Sequence, residues 1–290
     1  MRVSSLIIWL TFLCRVCLSQ TNDTIAKTII KKVYSPAISL ENPVGGGHFG
    51  EVAVGFSYQN KTMISDQDDA SVAVYVGLGD PEKLIGGGIT VNIFGLTNNY
   101  GEQDNIMEGG LDFHLNKYLL NKKLLLDAGV YNPVVWGGNS YITYQMSWYL
   151  SGNYFIRLKP GNNWGALSYL SLTGGFGNGN FRTDNTYTEY KSGSFEPFFS
   201  LALPVLKGVN IIAEWNGYDI AGGISIIPYQ KIPLMLGCEY TDLKYGDPRL
   251  VASLSYPLNF RKGSKQDPSL GNRPHNIKSI RPIRTISLFR

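Results

Sequence analysis

The chain has no run of eighteen apolar residues. A bilayer-spanning helix takes about 20, which argues against a helical membrane protein. A β-barrel stays open, because a strand's signal is much weaker than a helix's. Cysteine is scarce, with only Cys14, Cys17 and Cys238. The histidines are His48, His114 and His275. No His/Cys cluster has ligand spacing, so no metal centre is expected. No Gly-x-Ser-x-Gly elbow is present. No glycine-rich stretch has the form of a phosphate-binding loop opening a helix, and no cofactor is expected. Charged residues are 17% of the chain and the net charge is +4. That excess lies in the tail, where Arg261, Lys262, Lys265, Arg273, Lys278, Arg281, Arg284 and Arg290 face one acid, Asp267. The body is not basic, and nucleic acid is not an expected partner.

What is there begins with a secretory pattern. Arg2 is followed by a largely apolar run from Leu6 to Cys14, and Cys17-Leu18-Ser19 supplies small residues near a cleavage site. Residues 1–20 therefore read as a signal peptide. Val16 and Leu13 precede the two cysteines where a lipoprotein would have a small residue. Cleavage leaves Cys238 alone, so the mature chain forms no internal disulfide and draws its stability from a large core or a closed sheet. On an apolar strand face, Cys238 reads as an inert small hydrophobe. Residues 21–46 form an N-terminal periplasmic lead-in. Ile25, Ile29, Ile30 and Val33 have helical spacing there, and both a short amphipathic helix and an irregular lead-in fit. Pro36 and Pro43 end any helix.

From residue 48 the period becomes two, as strands require. In the last strand Leu250, Ala252, Leu254, Tyr256, Leu258 and Phe260 alternate with Val251, Ser253, Ser255, Pro257 and Asn259. Val52, Val54, Phe56 and Tyr58 oppose Glu51, Ala53, Gly55 and Ser57. Val72, Val74, Val76 and Leu78 oppose Ser71, Ala73, Tyr75 and Gly77. Twelve strands are expected, at 48–58, 70–79, 86–95, 107–116, 123–132, 142–152, 165–174, 194–203, 209–216, 218–227, 232–241 and 249–260. Asn216-Gly217 signals a two-residue hairpin. Long and short connectors roughly alternate, as in barrels with outer loops and periplasmic turns. Aromatics such as Tyr58, Trp148, Tyr154, Trp215, Tyr229 and Tyr256 fall near strand ends, where amphipathic rings favour the membrane interface. The expected fold is an all-β, antiparallel up-and-down transmembrane barrel over 47–260 with a basic tail over 261–290. A secreted β-sandwich or soluble barrel is the alternative.

Function would lie on the interior face. The registers place Glu51, Glu108, Asp112, His114, Asp127, Glu196, Glu214, Asp219, Glu239 and Arg249 there, with Arg157 as a further candidate. Two readings stand. One is a polar, acid-biased path for a solute; the other is a network of charge pairs and hydrogen bonds that holds a closed barrel together. An outer-membrane hydrolase with a Ser–His pair on the outer wall is a third class, with His114 as its base, but no serine can be tied to His114 from sequence. Gly45–Gly47, Gly86–Gly88 and the stretch 174–180 mark tight bends or close approach of another group.

Two stretches carry a resemblance. One is Asn42-Pro43-Val44-Gly45-Gly46-Gly47-His48-Phe49-Gly50-Glu51-Val52 followed by Gly55-Phe56-Ser57-Tyr58. The other is Ala213-Glu214-Trp215-Asn216-Gly217-Tyr218-Asp219-Ile220-Ala221-Gly222-Gly223. They resemble the YjbH-type outer-membrane proteins of exopolysaccharide loci, and the resemblance extends over about a quarter of the chain. The resemblance implies a non-enzymatic barrel that helps export or anchor envelope polysaccharide. The polar, acid-biased interior face leaves a porin-like passive solute channel as the alternative. The implied partners are outer-membrane lipid, the barrel-assembly machinery and polysaccharide. An assembly signal normally ends such chains, whereas Phe260 here is followed by the tail.

Overall fold

The computed structural model describes residues 35–62, 66–96, 108–137, 146–159, 165–181, 195–229, 232–244 and 246–259. The expected signal peptide, the helical spacing at 25–33, Phe260 and the basic tail lie outside the described residues.

Twelve antiparallel strands close into a barrel: β1 Glu51–Gln59, β2 Asp69–Gly79, β3 Gly86–Phe94, β4 Glu108–Leu119, β5 Leu124–Trp136, β6 Ser147–Arg157, β7 Tyr169–Gly177, β8 Glu196–Leu206, β9 Val209–Trp215, β10 Ile220–Ile226, β11 Met235–Thr241 and β12 Arg249–Asn259. Each strand pairs with its sequence neighbours. β12 closes the sheet on β1 in an unbroken register from Glu51↔Asn259 to Gln59↔Val251. The alternation at 250–260 therefore belongs to the closing strand. Closure leaves no edge strand with unpaired backbone groups.

The two faces are inverted relative to a soluble protein. Val54, Phe56, Val74, Val76, Phe113, Leu115, Trp148, Leu150, Phe199, Leu201, Ile211 and Leu254 point outward and are exposed. Ser57, Ser71, Thr90, Asn92, Asn116, Ser151, Asn153, Ser171, Asn210 and Ser225 point inward and are buried. An apolar band around a polar interior is the pattern of a transmembrane barrel. In water so continuous an exposed apolar surface would drive association. The sandwich alternative is set aside on both counts, closure and inversion.

Several boundaries shift. β5 runs four residues beyond the expected 132, past an Asn132 with φ 53°. A register shift between Leu111 and Phe113 absorbs that irregularity, so Pro133 sits at a bulge where its missing N–H does little harm. The strands expected at 142–152 and 165–174 are seen four to five residues later at their starts, because Tyr149↔Gly177 and Arg157↔Tyr169 pair across them. The Asn216-Gly217 connection is not a two-residue hairpin. Trp215 pairs with Ile220, leaving 216–219 as a four-residue loop with only Gly217 at positive φ. The Asn216 side chain accepts from the Tyr218 and Asp219 N–H groups at 2.9 and 2.7 Å, building an Asx turn instead.

Candidate lumenal site

Alternation along each strand delivers every second side chain to the lumen. Glu108, Asp112, His114, Asp127, Glu214, Glu239 and Arg249 are buried there, and Asp219 is buried in the loop joining β9 to β10. Glu51 and Glu196 are half-buried at the first residues of β1 and β8. Arg157 is exposed at the end of β6, where its Nε donates to the Lys159 carbonyl at 2.9 Å.

The lumen is filled by the chain's own N-terminal segment. Residues 35–45, 47 and 48 are buried except Gly46, which is half-buried, although none of residues 36–48 belongs to a strand. The segment enters beside the starts of β7 and β9. There Ser35 Oγ and the Tyr169 hydroxyl are 2.9 Å apart, and Asn210 Nδ2 donates to the Ala37 carbonyl at 2.8 Å. It climbs to the other end of β9, turns, and descends along β2–β5. His48 ends it beside Gly77 and Asp80. The expected lead-in thus lies, over residues 35–46, inside the barrel rather than in the periplasm.

Glu214 anchors the turn. Its carboxylate accepts from three successive backbone nitrogens, Leu40 at 2.7 Å, Glu41 at 2.9 Å and Asn42 at 3.3 Å. A buried loop must find partners for its backbone, and one carboxylate on the wall serves three groups here. Asn42 Nδ2 reaches Ser200 Oγ and the Phe199 and Trp215 carbonyls, while Asn216 Nδ2 donates to the Glu41 carboxylate. Ala37, Ile38, Leu40 and Val44 form an apolar cluster with Tyr169, Ala202, Ile212, Ile227 and Met235.

Small residues on both surfaces permit the contact. A Cβ at Gly223 would lie 2.6 Å from Leu40 Cδ1, and one at Gly77 would lie 2.5 Å from the His48 carbonyl oxygen. Gly45 presses on Asp127 and Asn116, and Gly47, at φ +110°, lies against Tyr75 and Gly87.

On that side a polar chain crosses the wall. His114 Nδ1 is 2.7 Å from Asp127 Oδ1, Tyr149 donates to Asp127 Oδ2 at 2.8 Å, and Tyr75 Oη is 3.2 Å from His114 Nε2. Tyr75 and Asn116 both donate to the Gly46 carbonyl, at 3.0 and 2.7 Å. Asp112 accepts from Asn92 Nδ2 at 2.7 Å and from the Asn132 N–H at 3.0 Å. His114 faces the lumen with 4% exposure, so it cannot supply the outer-wall Ser–His pair of the hydrolase alternative.

The loop ends add two features. Phe181, following β7 in a 3-10 turn at Gly179–Phe181, is fully buried and stacks on Phe198 with centroids 4.5 Å apart. Asp80, in the connection from β2 to β3, lies 3.4 Å from His48 Nδ1. Burial pushes the Asp80 carboxyl up. Backbone N–H groups of Glu82 and Lys83, with His48 and Lys83 charge, outweigh that and hold it below its ordinary value of 3.8. Arg249 pairs with Asp242 through Nε at 2.9 Å and donates from Nη1 to the Gln59 side-chain carbonyl. Among the described residues no group of three His, Cys, Asp or Glu side chains could hold a metal ion.

The alternation did not reveal the residues that fill the site: Ser39, Leu40, Asn42 and Gly45–Gly47. The available signal was the matching of glycine runs, since Gly45–Gly47 meets a wall bearing Gly77 and Gly86–Gly88.

No protein-family model matches the chain, and no curated protein matches it. Among solved structures, it is similar to a KdgM porin in complex with disordered oligogalacturonate. Identity is 11%, covering 71% of this chain and 98% of that one, with a TM-score of 0.40. It is similar also to the COG4313 outer membrane channel from Pseudomonas putida F1, at 10% identity, 81% and 100% coverage and a TM-score of 0.40. A mutant porin of Rh. blastica matches at 7% identity, 72% and 98% coverage and a TM-score of 0.31.

Proposed function

We propose that the protein is a non-enzymatic barrel of the bacterial outer membrane, delivered by a cleaved signal peptide and closed at rest by its own residues 35–48. One observation carries this reading. Inward side chains are buried on every strand, from Ser57 and Ser71 through Asn116, Ser151 and Ser200 to Ser225 and Ser255. A standing aqueous pore would keep such walls wet. The absence of any serine positioned by the sequence for His114, and that residue's place under the segment, support a non-enzymatic role.

Within this reading the protein is an accessory to export or anchoring of envelope polysaccharide, as its resemblance to YjbH-type proteins implies. Its partners are outer-membrane lipid, the barrel-assembly machinery and polysaccharide. A porin-like channel is the second reading, favoured by the polar character of the wall. Membrane fractionation with heat-modifiable gel mobility tests the location. Planar-bilayer recording of the intact protein separates the two roles. The accessory role predicts little steady conductance and an altered surface polysaccharide on deletion. A steady current from the intact protein would sink the closed-barrel reading.

A further inference from the structure

We infer that residues 35–48 leave the lumen as a unit, and that the wall they uncover takes a neutral glycan chain in preference to an anionic one. The inference rests on the closed-barrel reading above. Closure of the sheet by β1 and β12 does not use the segment, so its departure opens no seam.

The wall's contacts with the segment are mostly uncharged. Ser225 Oγ accepts the Ala37 N–H at 2.9 Å, Asn210 donates to the Ala37 carbonyl, and Asn116 and Tyr75 donate to the Gly46 carbonyl. These hydroxyl and amide groups hold a backbone with the same donors and acceptors that sugar hydroxyls would use. The segment thus occupies the wall as a ligand would.

A second observation comes from wall hydroxyls that make no hydrogen bond to the segment. The hydroxyls of Ser71 on β2, Thr241 on β11 and Ser255 on β12 are buried with no protein partner. A buried hydroxyl left unmet is destabilising. A permanently closed lumen would be better served by apolar side chains there. A wall that meets hydroxylated solute in a second state accounts for them.

Charge sets the preference. The lumenal carboxylates named above outnumber the arginines, and Arg249 is already matched by Asp242. An anionic chain would meet repulsion along the path.

The test uses the full-length protein carrying Ser39→Cys, Ser200→Cys and Cys238→Ser, in a planar bilayer. Ser39 Oγ and Ser200 Oγ are 3.3 Å apart, so oxidation ties the segment to the wall. Glu214→Gln is added to weaken its hold. The oxidised protein should be silent. The reduced protein should pass a cation-preferring current that a malto-oligosaccharide interrupts at about tenfold lower concentration than an oligogalacturonate of equal length. An anion-preferring current, or stronger block by the oligogalacturonate, overturns the inference and leaves the closed barrel standing. Silence of both forms overturns it too, since the segment then does not leave. A current from the oxidised form overturns the closed-barrel reading itself.

Discussion

Glu214 Oε1 accepts the backbone N–H of Leu40 at 2.7 Å, across 174 residues of sequence. Its other oxygen takes the next two N–H groups. Glu214→Ala leaves three buried donors unmet, at about 1–3 kcal/mol for each. The barrel should still form, because the pairing of residue 214 with Ser200 and Ala221 is made by its backbone, which the substitution keeps. The segment should become open to proteolysis between residues 35 and 48, read by limited digestion of the protein in detergent micelles. A digestion pattern equal to that of the parent would show that the clamp is not what holds the segment.

The glycine triplet gives an internally controlled comparison. An alanine Cβ at Gly45 would meet Asp127 Cβ at 2.8 Å. At Gly47 it would meet the Gly87 carbonyl oxygen at 2.6 Å on a backbone at φ +110°, whereas at Gly46 nothing lies within 4 Å. Gly47→Ala should destabilise by about 1–3 kcal/mol and Gly45→Ala by a smaller amount, while Gly46→Ala stays within about 0.5 kcal/mol. The temperature of the heat-modifiable gel shift reads the difference. Equal effects at all three positions would contradict the placement of this crossing.

Phe181 fills the other end of the lumen. Phe181→Ala removes a fully buried ring from a cluster with Tyr131, Tyr149 and Phe198, which costs about 3–5 kcal/mol in well-packed cores. Melting should fall accordingly, with the contacts of residues 35–42 kept. A loss of those contacts in the variant would mean that the two fillings are coupled.

Asp80 supplies a pH dependence. Its carboxyl is held below its ordinary value, so the charged form favours the folded state. The stability it contributes is complete above the ordinary value of 3.8 and is lost as pH falls through the lower folded value. Asp80→Asn should remove that part of the acid sensitivity, seen by comparing melting from about pH 5 down to about pH 3. Parallel curves for the two proteins would show that Asp80 does not contribute.

Much of the barrel was legible because a strand exposes its period locally. Val52–Tyr58, Val72–Leu78 and Leu250–Phe260 each state which face is apolar, and the acids at Glu108, Asp112, Asp127, Glu214 and Glu239 follow from the same alternation. β6 and β7 were misplaced because their outward positions mix glycine, tyrosine and leucine, which blurs the period. The filling of the lumen was not legible. Residues 35–48 have neither period and read as a loop, and loops normally stay at the surface for want of backbone partners. Here the partners come from Glu214 and Asn210 on β9, Asn116 on β4 and Tyr75 on β2, and nothing local in the sequence joins them to the segment.

The barrel holds its own N-terminal segment, and a cross-link reads that contact. With Ser39→Cys and Ser200→Cys in a Cys238→Ser background, mild oxidation of isolated membranes should join the two positions almost completely, since their hydroxyl oxygens lie 3.3 Å apart. The joined form should run differently from the reduced form on a denaturing gel. Two cysteines that stay free and open to alkylation under the same oxidant would show that residue 39 does not lie against β8 inside the barrel.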